Sequence, residues 1–204
     1  MKKNVFFSIM TSVASFFAIA LTAQNLSLGG TIRNEHGLDI KNVAVVLLND
    51  QQVVLDSIVV NGSYSFNNLP EGTYRLRISK TVNPLNGVST FDMVLATKHI
   101  LGLTPLQSAY ALLAADINRD RKLTTLDLVY ARKLILGISV HFPDLQSWHF
   151  VPADLPLPGL TNPFDLAYGT ANTVSLSATG GNLTIYNLIG YKVFDVNNTA
   201  IQED

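Results

Sequence analysis

Residues 116–127 read DINRDRKLTTLD, with oxygen-bearing side chains at Asp116, Asn118 and Asp120, then at Thr124, and a closing aspartate at Asp127. Two physical readings compete for this stretch. In one it wraps a hard cation: a helix-flanked calcium loop takes oxygens from positions 1, 3, 5, 7, 9 and 12, the seventh through a backbone carbonyl. Counted from Asp116, these are Asp116, Asn118, Asp120, the carbonyl of Lys122, Thr124 and Asp127, with Leu123 as the apolar anchor at position 8. In the other reading it is a polar helix start, because Thr124 and Asp127 have capping-box spacing and need no metal. Capping leaves Asp116, Asn118 and Asp120 unexplained, since close acceptors repel one another and Arg119 and Arg121 only partly offset this. Position 6 works against the loop. A sharp turn there favours glycine, and Arg121 costs about 1 kcal/mol in its place.

The stretch has a second copy. NGVSTFDMVLATKHILGL (86–103) aligns without gaps on RKLTTLDLVYARKLILGI (121–138), an offset of 35 residues. Thr90 falls on Thr125, Asp92 on Asp127, Ala96 on Ala131, Lys98 on Lys133 and Gly102 on Gly137. After each aspartate the apolar residues recur at helical spacing (Phe91, Val94, Leu95, Leu101; Leu126, Val129, Tyr130, Leu134), and Gly102 and Gly137 stand where a helix ends. Thr104-Pro105 reads as the start of a further helix. A weaker echo links LQSAYALLAAD (106–116) to LQSWHFVPAD (145–154). Two copies are too few for a solenoid, so the pattern predicts a pair related by pseudo-twofold symmetry. The first copy has a poor loop: Thr81, Asn83 and Leu85 at positions 1, 3 and 5, Asn86 at 6, and Ser89 and Asp92 at 9 and 12. It is read as degenerate, which predicts one Ca²⁺ site, in the second copy.

The flanks have a different period. Between Asn25 and Lys80, short runs rich in Val, Ile, Leu and Tyr are separated by turn signals such as NEHG, NGS and LPEG. In GTYRLRIS (72–79), Tyr74, Leu76 and Ile78 alternate with Arg75, Arg77 and Ser79, which predicts one buried face. Past residue 154 a loop-like DLPLPGLTNPF leads back to β character, with a hairpin turn predicted at TGGN (179–182). The amino terminus has two lysines, an apolar run broken by serines, and small residues ending at Ala23. That order is a cleavable export signal. The expected organisation is therefore α+β: signal 1–23, antiparallel sandwich 24–80, duplicated helical unit 81–154 and a C-terminal β segment 155–204. With no cysteine in the chain, an exported module must be held by its core or by a metal. A net charge of -1 and no Lys/Arg run give no field for nucleic acid, and beyond the signal no run reaches the ~18 apolar residues of a membrane span.

Two resemblances sharpen these expectations. GGTIRNEHGLDIKNVAVVL and GSYSFNNLPEGTYRLRIS resemble the carboxypeptidase regulatory-like (transthyretin-like) sandwich family, which implies a spacer without catalytic residues and a tight turn joining two neighbouring strands. ADINRDRKLTTLDLVYARKLILG and NGVSTFDMVLATKHILG resemble type I dockerin domains over about 81–154. That resemblance implies a calcium-loaded helical pair that docks into a cohesin receptor and attaches secreted glycan-degrading enzymes to scaffolds. Its partner-reading positions carry over to Thr90, Phe91, Thr97 and Lys98 in the first copy and to Thr125, Leu126, Arg132 and Lys133 in the second. Phe91 and Leu126 stand where that family commonly has a small polar residue. The order of modules, with a tail reading IGYKVFDVNN, also resembles large bacterial surface proteins in which such a unit is a structural joint.

Catalytic signatures are missing: there is no G-x-S-x-G, H-E-x-x-H or P-loop pattern. A non-enzymatic protein is expected. His141, Asp144 and His149 lie close in sequence but lack metal-ligand spacing, and His99 replaces the Leu134 of the other copy, a packing position. Trp148, Phe150 and Tyr110 suit either a sugar platform or the core, with the core favoured.

Overall fold

The computed structural model describes residues 26–80, 83–157, 159, 162–168, 173–176 and 183–200. The export signal, Thr81 and the TGGN turn lie outside the described residues. Five strands come first: β1 (Leu26–Arg33), β2 (Val43–Asn49), β3 (Val54–Val60), β4 (Ser63–Leu69) and β5 (Gly72–Ser79). Helices α1 (Thr90–Ile100), α2 (Ala109–Ala115) and α3 (Thr125–Ile135) follow, then β6 (Trp148–Pro152), α4 (Phe164–Tyr168), β7 (Thr173–Leu176), β8 (Leu183–Ile185) and β9 (Leu188–Lys192).

One sheet runs β4-β1-β9-β6, with β8 also on β1, and the other runs β3-β2-β5-β7. Alternation decides which side chains go inward. Tyr64 and Phe66 of β4 and Tyr74 and Leu76 of β5 are buried, while Ser63, Ser65 and Arg75 face out. The β2–β3 hairpin stays in one sheet, but the chain changes sheet at the next two corners. The Asn61-Gly62 turn takes β3 to β4; a Cβ on Gly62 would sit 2.5 Å from Asp39 Cγ at a φ of +83°, so only glycine fits. The Pro70-Glu71 corner takes β4 to β5 and is held by Tyr74 Oη donating to the Pro70 carbonyl at 2.8 Å. LPEG therefore joins strands consecutive in the chain that belong to different sheets.

The sandwich is not complete at residue 80. Its core combines Leu28, Ile32, Val45, Leu47, Phe66 and Leu76 with Trp148 and Leu188. β8 and β9 run parallel to β1, β6 is antiparallel to β9, and β7 extends the second sheet on β5. The sheet boundaries thus differ from the 24–80 and 155–204 division: both segments build the same two sheets, and the helices leave between β5 and β6. The sequence echo does not extend to structure: where LQSAYALLAAD contains α2, the Trp148–Pro152 segment is strand β6, because its aromatic and β-branched side chains find a sheet edge on β9.

α1 and α3 each start at a capping box, Ser89 with Asp92 and Thr124 with Asp127. Each ends at a left-handed glycine, Gly102 (φ 68°) and Gly137 (φ 67°). The two helices meet at Ala96 and Ala131, both fully buried, with Leu134, Ile117, Phe142, Val193 and Phe194 around them. Much of the periodic apolar stripe faces outward: Phe91, Val94, Leu101, Leu126 and Val129 are exposed, while Leu134 is buried. Close approach at paired alanines splays the larger neighbours outward. α2 is buried all round and begins at Ser108, whose hydroxyl accepts from Ala111 N; Thr104-Pro105 precedes it without capping it. Among the described residues no helix is long and apolar enough to cross a membrane.

Candidate metal centre and docking face

The 116–127 loop folds its own amides onto its carboxylates. Asp116, 2% exposed, accepts from Asp120 N at 3.2 Å, Arg121 N at 2.9 Å and Tyr168 Oη at 3.1 Å. Asp127 is fully buried; one oxygen accepts from Ile117 N at 2.9 Å, the other from Thr124 N at 2.8 Å and Thr124 Oγ1 at 3.2 Å. Asn118 Oδ1 accepts from Asp120 N and its Nδ2 donates to Asp120, whose other oxygen accepts from Lys122 N. Burial pushes both the Asp116 and Asp127 carboxyls above their ordinary value, against the pull of these hydrogen bonds.

Arg121 makes the turn that glycine would make more easily, at a φ of 71°, and Arg119 is left-handed as well at 56°. Each is held from outside the loop. Arg121 reaches Asp165 at 3.1 Å, and the Arg119 guanidinium lies 4.3 Å from the centre of the Tyr168 ring. α4 thus braces the loop, a support with no trace in the 116–127 sequence.

By donor chemistry the loop suits a hard cation: every candidate atom is an oxygen, and neither Asp116 nor Asp127 has a salt-bridge partner among the described residues. Among the described residues no three Asp, Glu, His or Cys side chains gather closely enough to hold a metal by themselves. Asn118, Thr124 and the Lys122 carbonyl are needed to complete the set. Capping does not exclude the loop reading, because Asp127 both caps α3 and accepts from Ile117 N at the start of the loop.

The first copy is divided. Ser89 and Asp92 come together, with Asp92 Oδ2 accepting from Ser89 N at 2.9 Å and Ser89 Oγ at 2.7 Å. Asn83 does not join them; its side chain accepts from Leu85 N in its own turn. The remaining Asp92 oxygen accepts from Val196 N at 3.1 Å, so the chain's last described segment occupies this place. Asp195, Asn197 and Thr199 are therefore functional candidates that the repeat alignment missed. The available signal was DVNNTA (195–200), which echoes DINRDR (116–121).

The predicted partner positions lie on α1 and α3, and all but one are exposed. Phe91 is 57% exposed and Leu126 44%, and Thr90, Thr125, Lys98, Arg132 and Lys133 are also exposed, with Thr97 half-buried. Between α1 and α3 lies a groove of about 450 Å³ lined by Thr90, Met93, Val94, Thr97, Lys98, Arg132, Ile135 and Leu136. The exposed apolar residues obey the 35-residue offset: Phe91 and Leu126, Val94 and Val129, Leu101 and Leu136, Leu103 and Ile138.

The other constellations resolve into packing. Trp148 and Tyr110 are buried and Phe150 is packed on the sandwich core, so no sugar platform forms from them. His149 Nε2 meets Asp144 at 2.9 Å, while His141 Nδ1 lies at the Phe142 carbonyl. Burial, only partly countered by Asp144, pushes His149 below its ordinary value. His99 Nδ1 accepts from Leu106 N, tying α1 to the turn before α2. No protein-family model matches the chain, and no curated protein matches it.

Proposed function

We propose that this protein is an exported, non-catalytic attachment module whose dockerin-like helix pair, stabilised by Ca²⁺, docks into a cohesin-type domain of an extracellular polysaccharide-degrading system. Its paired apolar face carries this reading. A monomeric surface rarely leaves large side chains exposed in register on two helices, and here Phe91, Val94, Leu101 and Leu103 repeat as Leu126, Val129, Leu136 and Ile138. Lys98 and Arg132 line the groove; burial of the apolar centre supplies affinity and the positive side chains steer an acidic partner. Asp116, Asn118, Asp120, the Lys122 carbonyl, Thr124 and Asp127 would hold the Ca²⁺, which supplies positive charge for the buried carboxylates and no reaction step. The carboxypeptidase regulatory-like segment serves as its spacer, and residues 1–23 direct export.

A second reading has its own support. The helices emerge from, and return to, one pair of sheets, as a rigid joint within a larger cell-surface protein would. Binding of the full chain to a panel of cohesin domains, with Ca²⁺ and with chelator, separates the two. Calcium-dependent capture that is lost in Phe91→Ala/Leu126→Ala, with the fold retained, supports docking. Absence of capture across the panel overturns it in favour of the joint.

A further inference from the structure

Position 12 of a calcium loop is useless without positions 1 to 5, and the first repeat lacks them. The far end of the chain supplies a substitute. Residues 195–200, DVNNTA, repeat the order of residue types in 116–121, DINRDR: aspartate, a β-branched apolar residue, asparagine, a variable residue, then an oxygen-bearing side chain. The hydrogen bonds repeat as well. Thr199 N and Ala200 N donate to the two oxygens of Asp195 at 2.9 and 2.7 Å, as Asp120 N and Arg121 N do to Asp116. Val196 N donates to Asp92, as Ile117 N donates to Asp127. Position 4 is left-handed in both, at 55° in Asn198 and 56° in Arg119.

The gap in the chain closes at Gly87, the counterpart of Lys122 at position 7. A Cβ on Gly87 would sit 2.7 Å from both Cα and N of Ala200, and Thr199 Oγ1 donates to the Gly87 carbonyl at 3.1 Å. The two loops are also joined to each other, since Phe194 N donates to the Ala114 carbonyl at 2.8 Å, just ahead of Asp195 and Asp116.

We infer that residues 195–200 and 87–92 form a second, split cation loop, with Asp195, Asn197, Thr199, the Gly87 carbonyl, Ser89 and Asp92 as its oxygen donors and a Ca²⁺-like divalent cation as its ligand. This rests on the calcium reading of 116–127. Asp92 and Asp195 are both buried, and neither has a salt-bridge partner among the described residues. The nearby Lys192 Nζ donates instead to the Pro84 carbonyl at 2.8 Å. The Asn197 amide lies between these carboxylates. Turned nitrogen-inward, it donates to Asp195 at 2.8 Å, Thr199 Oγ1 at 2.9 Å and Asp92 at 3.2 Å. A cation in the loop would take the Asn197 oxygen in place of these donations.

Calorimetric Ca²⁺ titration of the chelator-stripped full chain tests this. Two equivalents are expected, with Asp116→Asn and Asp195→Asn each losing a different one. Thr199→Asp guards against a variant that fails to fold: it gives the split loop the carboxylate that Asp120 gives the intact one, and should tighten one of the two sites on the order of tenfold. One equivalent, lost in Asp116→Asn and unchanged in Asp195→Asn and Thr199→Asp, overturns the split loop alone. No binding at all overturns the calcium reading with it.

Discussion

The two repeats reach the same helix start by different routes. In the second, twelve consecutive residues from Asp116 to Asp127 make the turn, supply the oxygens and cap α3. In the first, the cap is local but the turn comes from residues 195–200, which lie 104 positions away where Val196 N meets Asp92. The difference shows that the duplicated unit is the cap and helix, and that the half-loop in front of it is a separable part. A local loop stabilises only its own helix. A divided one makes the helix depend on the strand that delivers its other half, here β9.

The comparison fails most visibly at position 7. Gly87→Val places a branched side chain on the Ala200 backbone at a positive φ and should cost about 2–4 kcal/mol, whereas Lys122→Val, on an exposed residue, should stay within about 0.5 kcal/mol. Urea midpoints measure both, and equal effects would mean that the tail does not close the first loop. Calcium comes next. At a hundredfold excess over Kd, each loaded loop should gain about 2.7 kcal/mol. Asp116→Ala should remove the gain from 116–127 in a melting experiment with and without Ca²⁺, and an undiminished shift would return that loop to capping alone.

A smaller effect separates the two approaches to the loops. Three residues before Asp116 stands Leu113, and three before Asp195 stands Lys192, both buried. Burial depresses the Lys192 ammonium to about 7, with Asp195 pulling it partly back. Between pH 7 and the ordinary lysine value of 10.5 the unfolded chain holds a proton that the folded chain has shed, so stability rises with pH across that window. The rise is at most about 1.4 kcal/mol per pH unit. Lys192→Met should flatten the profile, and an unchanged slope would assign it elsewhere. Least of all, Phe91→Ala and Leu126→Ala should each change stability by no more than about 0.5 kcal/mol, since both side chains are exposed. Loss of partner binding is their expected phenotype, and the second-copy face should matter more: Arg132→Ala with Lys133→Ala should weaken capture more than Thr97→Ala with Lys98→Ala.

What could be read from the residues was local. The capping boxes at Ser89 and Thr124, the glycines ending α1 and α3, and the alternation in β4 and β5 depend on neighbours within a few positions. Choices made between distant segments were not legible. Periodicity marked Phe91 and Leu126 as apolar but could not say that Ala96 and Ala131 would meet first and leave them outside. The half-loop at 195–200 is six residues long with no helix after it, too short to register as a third copy. One long-range signal went unused. Two glycines inside β1 suggest a close backbone approach, and a Cβ on Gly30 would indeed collide with the Tyr186 carbonyl between β8 and β9.

That crowded strand has a kinetic consequence. β1 pairs with β8 and β9 in parallel, Leu28 opposite Thr184 and Ile32 opposite Leu188, across a separation of 156 residues at each pairing. Closing so long a span is slow, while helices built on near neighbours form early. The helical pair should collapse first, with α1 waiting on its borrowed half-loop. When β9 docks on β1, the same event seats Asp195 beside Asp92. Refolding followed separately by a helix signal and by protection of β1 amides should therefore show two phases. The slow phase, set by the meeting of β1 and β9, should be the one in which the split loop gains its affinity for metal.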